Sequence, residues 1–152
     1  MAKTIIATNE TIKEIVKSEI KRLGYNADLN HIDVSQVTDM SFLFNDSDFN
    51  GDISNWNVSN VTNMACMFSE SAFNGDISNW NVSNVTNMEC MFYSSFFDGD
   101  ISKWHVSKAT NMRGMFALST LEENNNLPVW YGDIEEEIDL DYAMLSEYAA
   151  EH

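Results

Sequence analysis

The sequence predicts an α/β repeat fold, in which about four coils form a right-handed solenoid with parallel strands and a capping helix at each end. The first observation is a 24-residue unit that begins at Phe49 (FNGDISNWNVSNVTNM), recurs unchanged at Phe73, varies at Phe97 and is degenerate at Tyr25. The second is that apolar residues hold the same positions in each copy, and the third is an amphipathic segment on either side of the copies. A fixed period of this length is typical of solenoids, because each unit buries its apolar face only against its neighbours.

Residues 1–24 are predicted to cap the first coil. A helix is expected from Thr8 to Leu23, with Thr8 or Asn9 as its N-cap and Gly24 at its end. Its apolar stripe consists of Ile12, Ile15, Val16, Ile20 and Leu23. The first coil of a solenoid exposes its core unless something covers it, so we expect this stripe to lie on that coil.

Residues 25–120 are predicted to form the four coils. The second and third copies contain I-x-x-W-x-V, which indicates a short strand with inward side chains, and then V-x-x-M-x-x-M-F, whose spacing suits one or two helical turns. The first and fourth copies keep the same spacing with other apolar residues at some positions. A strand plus a helical turn at a period of about 20–29 residues is the leucine-rich-repeat arrangement. The expected strands lie at 32–34, 56–58, 80–82 and 104–106. A bend or a positive φ is expected at the glycines before them, which are Gly51, Gly75 and Gly99.

The repeated motif F-N-G-D-I-S-x-W-x-V-S-x-V-T-N-M-x-x-M-F, found from Tyr25 to about Thr120, resembles the BspA-type leucine-rich repeat of bacterial surface proteins and mycoplasma lipoproteins. The N-terminal helix and the segment NADLNHIDVSQVTDM also resemble the start of such proteins. The resemblance implies a leucine-rich-repeat-like solenoid and a role in adhesion and protein binding, with no catalytic residues to transfer. The chain differs from the surface members because it shows no leader, lipid-attachment cysteine or wall anchor.

Residues 121–152 are predicted to form an acidic C-terminal cap. A helix is expected from Asp133 to Tyr148, with an apolar face at Ile134, Ile138, Tyr142, Leu145 and Tyr148. The segment either covers the last coil or acts as an acidic arm that docks on a partner. The candidate binding residues of this arm are Glu135, Glu136, Glu137, Asp139 and Asp141.

The charge of the chain restricts its partners. The net charge is −16, residues 1–22 hold five of the eight basic residues, and residues 122–152 contain ten acids and no Lys or Arg. Phosphate contacts need Lys and Arg, so this acidity argues against direct binding to nucleic acids or anionic membranes and favours a protein partner with a basic surface. The sequence has neither a signal-peptide core nor an apolar run that could span a membrane, so we expect a cytoplasmic protein.

A second candidate surface is the outward side of the predicted strands, which is the concave face where solenoids commonly bind partners. The outward strand position holds Asp33, Asn57, Asn81 and His105. The flanking position holds His31, Asn55, Asn79 and Lys103. A solvated face without a ligand is the alternative interpretation of this pattern.

Candidate sites for metals and catalysis are few. Asp46, Asp48, Asn50 and Asp52 match the first part of an EF-hand loop, but Asn57 replaces its bidentate Glu, so calcium is a weak candidate. The column Asp28, Asp52, Asp76 and Asp100 is expected to cap turns. Cys66 and Cys90 share one repeat position; two buried thiols are expected there, although a disulfide is conceivable by distance. No zinc-ligand spacing, catalytic triad or phosphate-binding glycine pattern occurs, so we expect no cofactor and no enzymatic activity.

Three functions follow from these observations. The first is an acidic, leaderless protein-binding module, in its sharpest form an intracellular inhibitor of the phage anti-defence type that occludes a basic nucleic-acid-binding site on its partner. The alternative is an adhesin-like surface interaction module of the BspA type. The third is a calcium-binding structural module. The sequence does not determine the oligomeric state.

Overall fold

The computed structural model describes residues 3–132 of the 152-residue chain. Its elements are a strand β1 (Ile5–Ile6), a helix α1 (Ile12–Leu23), a strand β2 (Ile32–Asp33) and two one-turn helices, α2 (Thr120–Glu123) and α3 (Val129–Gly132). β1 and β2 form a two-stranded parallel sheet in which Ile5 lies opposite Ile32. Turns and loops make up most of the other described residues.

The predicted fold class, a leucine-rich-repeat-like solenoid, is wrong. That fold requires one strand in each coil, but within residues 3–132 only the first repeat contributes a strand, and this strand pairs with β1. Positions 56–58, 80–82 and 104–106 are turns and loops, and so are the segments where helical turns were expected. Bridges between single residues, such as Asn63 to Asn87, join the repeats in place of a continuous sheet. We refer to the repeats by number, as residues 25–48, 49–72, 73–96 and 97–120.

The backbone at the predicted strand positions forms hydrogen bonds within its own repeat. The N–H of Trp56 donates to the carbonyl of Ile53 at 3.1 Å, and the N–H of Val61 donates to the carbonyl of Val58 at 2.9 Å. A strand would use these groups to bond its neighbour. Because these N–H and carbonyl groups bond within the same repeat, the segment from Ile53 to Val61 folds as two successive turns.

The M-x-x-M-F segment bonds to the next repeat and does not form a helix. In the first repeat the N–H groups of Met40, Phe42, Phe44 and Asp46 donate to carbonyls of the second repeat at 2.8–3.0 Å. Phe42 and Asp46 have φ values of 62° and 53°, and a left-handed residue at every fourth position interrupts a right-handed helix. The spacing that suggested helical turns therefore arises from consecutive tight turns. We call residues 39–46 and their equivalents the ladder segments.

Aromatic columns form the core between the repeats. Phe44, Phe68, Phe92 and Phe116 stack with ring centroids 5.6 Å apart, and Trp56 lies 6.5 Å from Trp80. The predicted inward columns are confirmed, because their members are buried except for Val106 and Ala109, which are partly buried. The repeats therefore lie in register, and equivalent surface residues form rows.

α1 covers the N-terminal end of the first repeat. The helix prediction is confirmed except for its first turn and its N-cap, since α1 begins at Ile12 after the N-cap Thr11 and ends at Leu23, with Gly24 (φ 97°) as its C-cap. The side-chain oxygen of Asn9 accepts the N–H groups of Thr38 and Asp39 at 2.9 and 3.2 Å. The equivalent N–H groups of the second repeat, those of Thr62 and Asn63, donate to the carbonyl of Thr38 in the first repeat. The side chain of Asn9 therefore replaces the carbonyl that a preceding repeat would supply.

The C-terminal described residues extend the tryptophan column beyond the last repeat. The indole N–H of Trp130 donates to the carbonyl of Ile101 at 2.9 Å, and Tyr131 packs edge-on against Phe116 at a centroid distance of 4.9 Å. The helix predicted from Asp133 to Tyr148 lies outside the described residues.

Candidate functional site

The residues predicted at the outward strand position lie in a row of turns. The Oδ1 atoms of Asp33, Asn57 and Asn81 each accept the N–H of the serine two residues later at 2.9–3.1 Å and its hydroxyl at 2.6 Å. Asn57, Asn81 and His105 are exposed, and Asp33 is half-buried. The structure thus brings these four positions into one polar row, although the row belongs to turns and not to the concave face of a sheet.

The flanking row is less uniform than the sequence suggested. Asn55, Asn79 and Lys103 are exposed, but His31 is partly buried, with its Nε2 atom 3.2 Å from Oε2 of Glu19. His31 therefore serves the contact between α1 and the first repeat. Three of the four flanking positions remain open to a partner.

Glu19 is a buried acid that the sequence analysis did not single out. Its Oε2 atom accepts a hydrogen bond from Nη2 of Arg22 at 2.6 Å, and only 11% of its side chain is exposed. The hydrogen bond from Arg22 lowers the pKa of Glu19, His31 lowers it further, and desolvation opposes both. Arg22 could have been predicted as a partner of Glu19, because the two are three residues apart on one helix. The contact with His31 could not be predicted, because His31 belongs to a separate segment that only the fold brings close.

The aspartate column caps turns, as expected. Oδ1 of Asp52, Asp76 and Asp100 accepts the N–H of the serine two residues later at 2.9–3.0 Å. The serine hydroxyl is the largest cause that lowers the pKa of these carboxyls, and the backbone N–H is the second. Asp28 instead accepts the N–H and the amide of Asn30 at 2.9 and 2.8 Å. The negative charges of Asp52 and Asp100 oppose the lowering of the pKa of Asp76, because carboxylates of the same column repel each other.

The EF-hand-like residues do not assemble into a cation site. Asp46 and Asp48 are exposed, Oδ1 of Asn50 accepts the N–H of Asn74 at 2.8 Å, and Asp52 is engaged by Ser54. Among residues 3–132, no three His, Cys, Asp or Glu side chains lie close enough together to hold a metal ion. Two residues of the EF-hand-like stretch, Asn50 and Asp52, thus form hydrogen bonds within and between the repeats.

Cys66 and Cys90 are free, buried thiols at the same position of the second and third repeats. The hydrogen bond between the two thiols, together with burial, raises the pKa of Cys66 because both favour the protonated form. The pair accordingly packs as apolar side chains beside Tyr93 and Ala117.

The acidic arm, Glu135, Glu136, Glu137, Asp139 and Asp141, lies outside the described residues. Across residues 3–132, no helix has both the length and the apolar character needed to cross a membrane.

Comparison with known proteins places the repeats in a family. No curated protein and no solved structure is significantly similar to the chain. A family model described as "Mycoplasma protein of unknown function, DUF285" matches residues 11–130, which include α1, all four repeats and Trp130. The chain therefore belongs to the DUF285 family of Mycoplasma proteins.

Proposed function

We propose that the protein is a non-enzymatic protein-binding module whose acidic turns meet a basic surface on a partner protein. The observation that carries this proposal is the charge of residues 23–102, which include eleven acids and no Lys or Arg. Most of these acids are exposed, and the Asp52, Asp76 and Asp100 carboxylates are held at fixed positions by their serines. A fixed row of like charges attracts a complementary row and accelerates association.

The sharper form of this proposal is an intracellular inhibitor, of the phage anti-defence type, that occludes a nucleic-acid-binding site. Equivalent acids recur once per repeat, so the row offers a partner regularly spaced negative charges, as a phosphate backbone does. A cleft that binds phosphates through Lys and Arg would accept such a row. The acidic arm would add further negative charge, and the polar row of Asn57 and Asn81 offers a rival surface for the same partner.

An adhesin-like surface module of the BspA type is the second candidate. Two observations support it: the repeats belong to a Mycoplasma family, and the sequence motif resembles BspA-type repeats. In this case the exposed row of asparagines, and not the acids, would contact the partner. The two functions therefore differ in which side chains matter.

An affinity experiment with a matched variant tests the proposal. The full-length protein and an Asp28→Asn, Asp52→Asn, Asp76→Asn, Asp100→Asn variant are immobilised and incubated with a lysate of the native cell, and bound proteins are identified by mass spectrometry. Asn57 and Asn81 already make the same turn with serine, so asparagine should preserve the fold while it removes the charge. We expect basic proteins that bind the parent, are displaced by heparin or duplex DNA, and bind the variant less. Equal retention by both proteins, or resistance to both competitors, would contradict the proposal.

A further inference from the structure

A groove of about 550 Å³ lies between α1 and residues 42–48 of the first repeat. Three lysines, Lys13, Lys17 and Lys21, line its α1 side at intervals of one helical turn, and all three are exposed. None of them forms an ion pair with a residue in the described part of the chain. The α1 side of the groove therefore presents a row of positive charges in a chain whose net charge is −16.

The groove also exposes apolar side chains at positions that the later repeats bury. Tyr25 is 55% exposed and Leu43 is half-buried, and both line the groove. The residues at the same two positions of the three later repeats are buried: Phe49, Phe73, Phe97, Met67, Met91 and Met115. In the later repeats these positions pack on the preceding repeat, as Phe73 does on Phe49 at a centroid distance of 6.2 Å. The first repeat has only α1 in that place, and α1 leaves this apolar surface open to a partner.

We propose that this groove binds an acidic amphipathic helix of a partner protein. The lysines lie about 6 Å apart along α1, so carboxylates one turn apart on a neighbouring helix can face them one to one. The apolar stripe of the same helix covers Ile20, Leu43 and Tyr25. The occupant must combine an apolar stripe with acids because the groove combines an apolar floor with a basic side.

The backbone around the groove favours a helix over an extended segment. The N–H groups of Phe42, Leu43 and Asp46 already donate to carbonyls of the repeats, and the backbone of α1 is bonded within the helix. An extended segment in the groove would therefore find few backbone partners. A helix satisfies its own N–H and carbonyl groups, so it needs only side-chain contacts with the groove.

The distribution of charge favours a short helix over a larger polyanion. Asp46 and Asp48 line the side of the groove opposite the lysines, and residues 23–102 contain eleven acids and no Lys or Arg. A membrane surface or a nucleic acid would extend beyond the lysines and meet these acids, whereas a helix of about three turns contacts the groove alone. A second copy of the chain is disfavoured because both copies carry the same net charge. The inference is independent of the proposed function, because it concerns this basic groove and not the acidic turns.

Fluorescence anisotropy with a synthetic peptide provides the first test. The probe is the fluorescein-labelled peptide LEQLLEQLEQLLEQL, which as a helix carries a leucine stripe with glutamates along one edge. The parent protein should bind it, and the variant Lys13→Gln, Lys17→Gln, Lys21→Gln should bind it about tenfold more weakly, because three ion pairs are lost.

The matched control is the variant Lys3→Gln, Lys103→Gln, Lys108→Gln, which removes the same charge at residues that do not line the groove. It should bind the peptide like the parent. No binding by the parent, or an equal loss of affinity in the control, would overturn the proposal.

Amide chemical shifts measured by NMR locate the peptide, and a second variant tests the apolar floor. In 15N-labelled protein the peptide should shift the amides of residues 13–21 and 42–48 and leave those of residues 97–111 unchanged. Tyr25→Ser should weaken binding about fivefold, because it removes exposed apolar surface from the groove. Shifts confined to other residues, or parent-like affinity of the Tyr25→Ser variant, would contradict the proposal.

The other occupants of the groove are tested with the same lysine variant. Vesicles that contain phosphatidylglycerol and a single-stranded DNA oligonucleotide should bind the parent no better than they bind the variant. Light scattering should likewise show no self-association that depends on the lysines. Lysine-dependent binding to vesicles or DNA would assign the groove to a polyanion, and lysine-dependent self-association would assign it to a second copy. Either result would overturn the proposal.

Discussion

Trp80 shows how one side chain joins neighbouring repeats. It is 4% exposed, stacks on Trp56 at 6.5 Å, and donates its indole N–H to the carbonyl of Ile53 at 3.1 Å. Trp80→Ala should therefore cost roughly 3–5 kcal/mol, because it removes a large core side chain and one of the two N–H groups that donate to the carbonyl of Ile53. Urea denaturation of the purified variant measures this change.

Trp80→Phe separates the two contributions. Phenylalanine keeps an aromatic ring in the column but cannot donate to Ile53, whose carbonyl retains the N–H of Trp56, so we expect a smaller cost of about 0.5–1.5 kcal/mol. If Trp80→Ala melted within a degree or two of the parent, the tryptophan column would not be part of the stabilising core. If the two variants lost the same stability, the hydrogen bond would dominate over packing.

The turn-capping aspartates predict how stability depends on pH. The serine hydroxyls and N–H groups lower the pKa of Asp52, Asp76 and Asp100 from the ordinary value of 3.8. When folded carboxyls have a lower pKa than unfolded ones, the unfolded state binds more protons, so their contribution is complete above about pH 4 and is lost as the pH falls through the folded pKa. The triple variant Asp52→Asn, Asp76→Asn, Asp100→Asn should lose less thermal stability than the parent between pH 5 and pH 2.5. A parallel decline of both proteins would show that these turns do not respond to protonation.

At the scale of elements, the glycines at the start of each repeat act by close approach. A bend or a positive φ was expected at Gly51, Gly75 and Gly99, and among the glycines of residues 3–132 only Gly24 and Gly114 have a positive φ. A Cβ atom on Gly51 would lie 1.9 Å from the carbonyl oxygen of Ala27 and 2.6 Å from the ring of Phe49. Ala27 is tolerated at the equivalent position of the first repeat, where Tyr25 replaces the buried phenylalanine and is 55% exposed.

Gly51→Ala should therefore destabilise the protein by about 1–3 kcal/mol, because the backbone of the first repeat must shift. Gly132→Ala is the matched control, since no atom of residues 3–132 lies within 4 Å of its added Cβ, and it should change stability by less than about 0.5 kcal/mol. Denaturant titration of both variants checks the pair. Equal stabilities would mean that the repeats are not packed as closely as the Gly51 contact indicates.

The elements show which part of the fold a sequence pattern determines. The sequence analysis correctly predicted that the columns containing Ile53, Trp80 and Phe92 are buried, because the spacing of apolar residues indicates which side of each repeat faces the core. The strands and helical turns were predicted wrongly, because apolar spacing does not report where the backbone N–H groups donate. Trp56 bonds within its repeat and Phe44 bonds to the next repeat, and these choices turn the expected strand and helix into turns.

At the scale of the whole molecule, the candidate surfaces differ in how far the sequence could find them. The row of acids at Asp28, Asp52, Asp76 and Asp100 could be predicted from the sequence, because equivalent residues lie in line when the repeats stack. The groove between α1 and the first repeat could not be predicted, because Lys17 and Leu43, which line it, come from separate segments that meet only when α1 lies on the first repeat. The contact of His31 with Glu19 was hidden for the same reason.

The charge of the whole molecule yields the last prediction, which concerns the surface that a basic partner would meet. Replacing Glu135, Glu136, Glu137, Asp139 and Asp141 with the corresponding amides should slow association and flatten its dependence on salt, because these acids contribute to the long-range field. Stability should barely change if these carboxylates are exposed, since exposed charges contribute little to folding. Stopped-flow association rates measured over a range of salt concentrations, with the basic partner from the affinity experiment, provide the readout.

The double variant Asn57→Arg, Asn81→Arg tests the other candidate surface, the polar row. Both side chains are exposed there, and arginine adds bulk and positive charge. If the acidic arm is the contact, the five amide substitutions reduce the association rate while the arginine variant retains most of its final affinity. Loss of binding in the arginine variant, with a parent-like rate in the amide variant, would move the site to the row of Asn57 and Asn81. That outcome would favour the adhesin-like function if the Asp28→Asn, Asp52→Asn, Asp76→Asn, Asp100→Asn variant also bound like the parent, because the polar row would then bind without either set of acids.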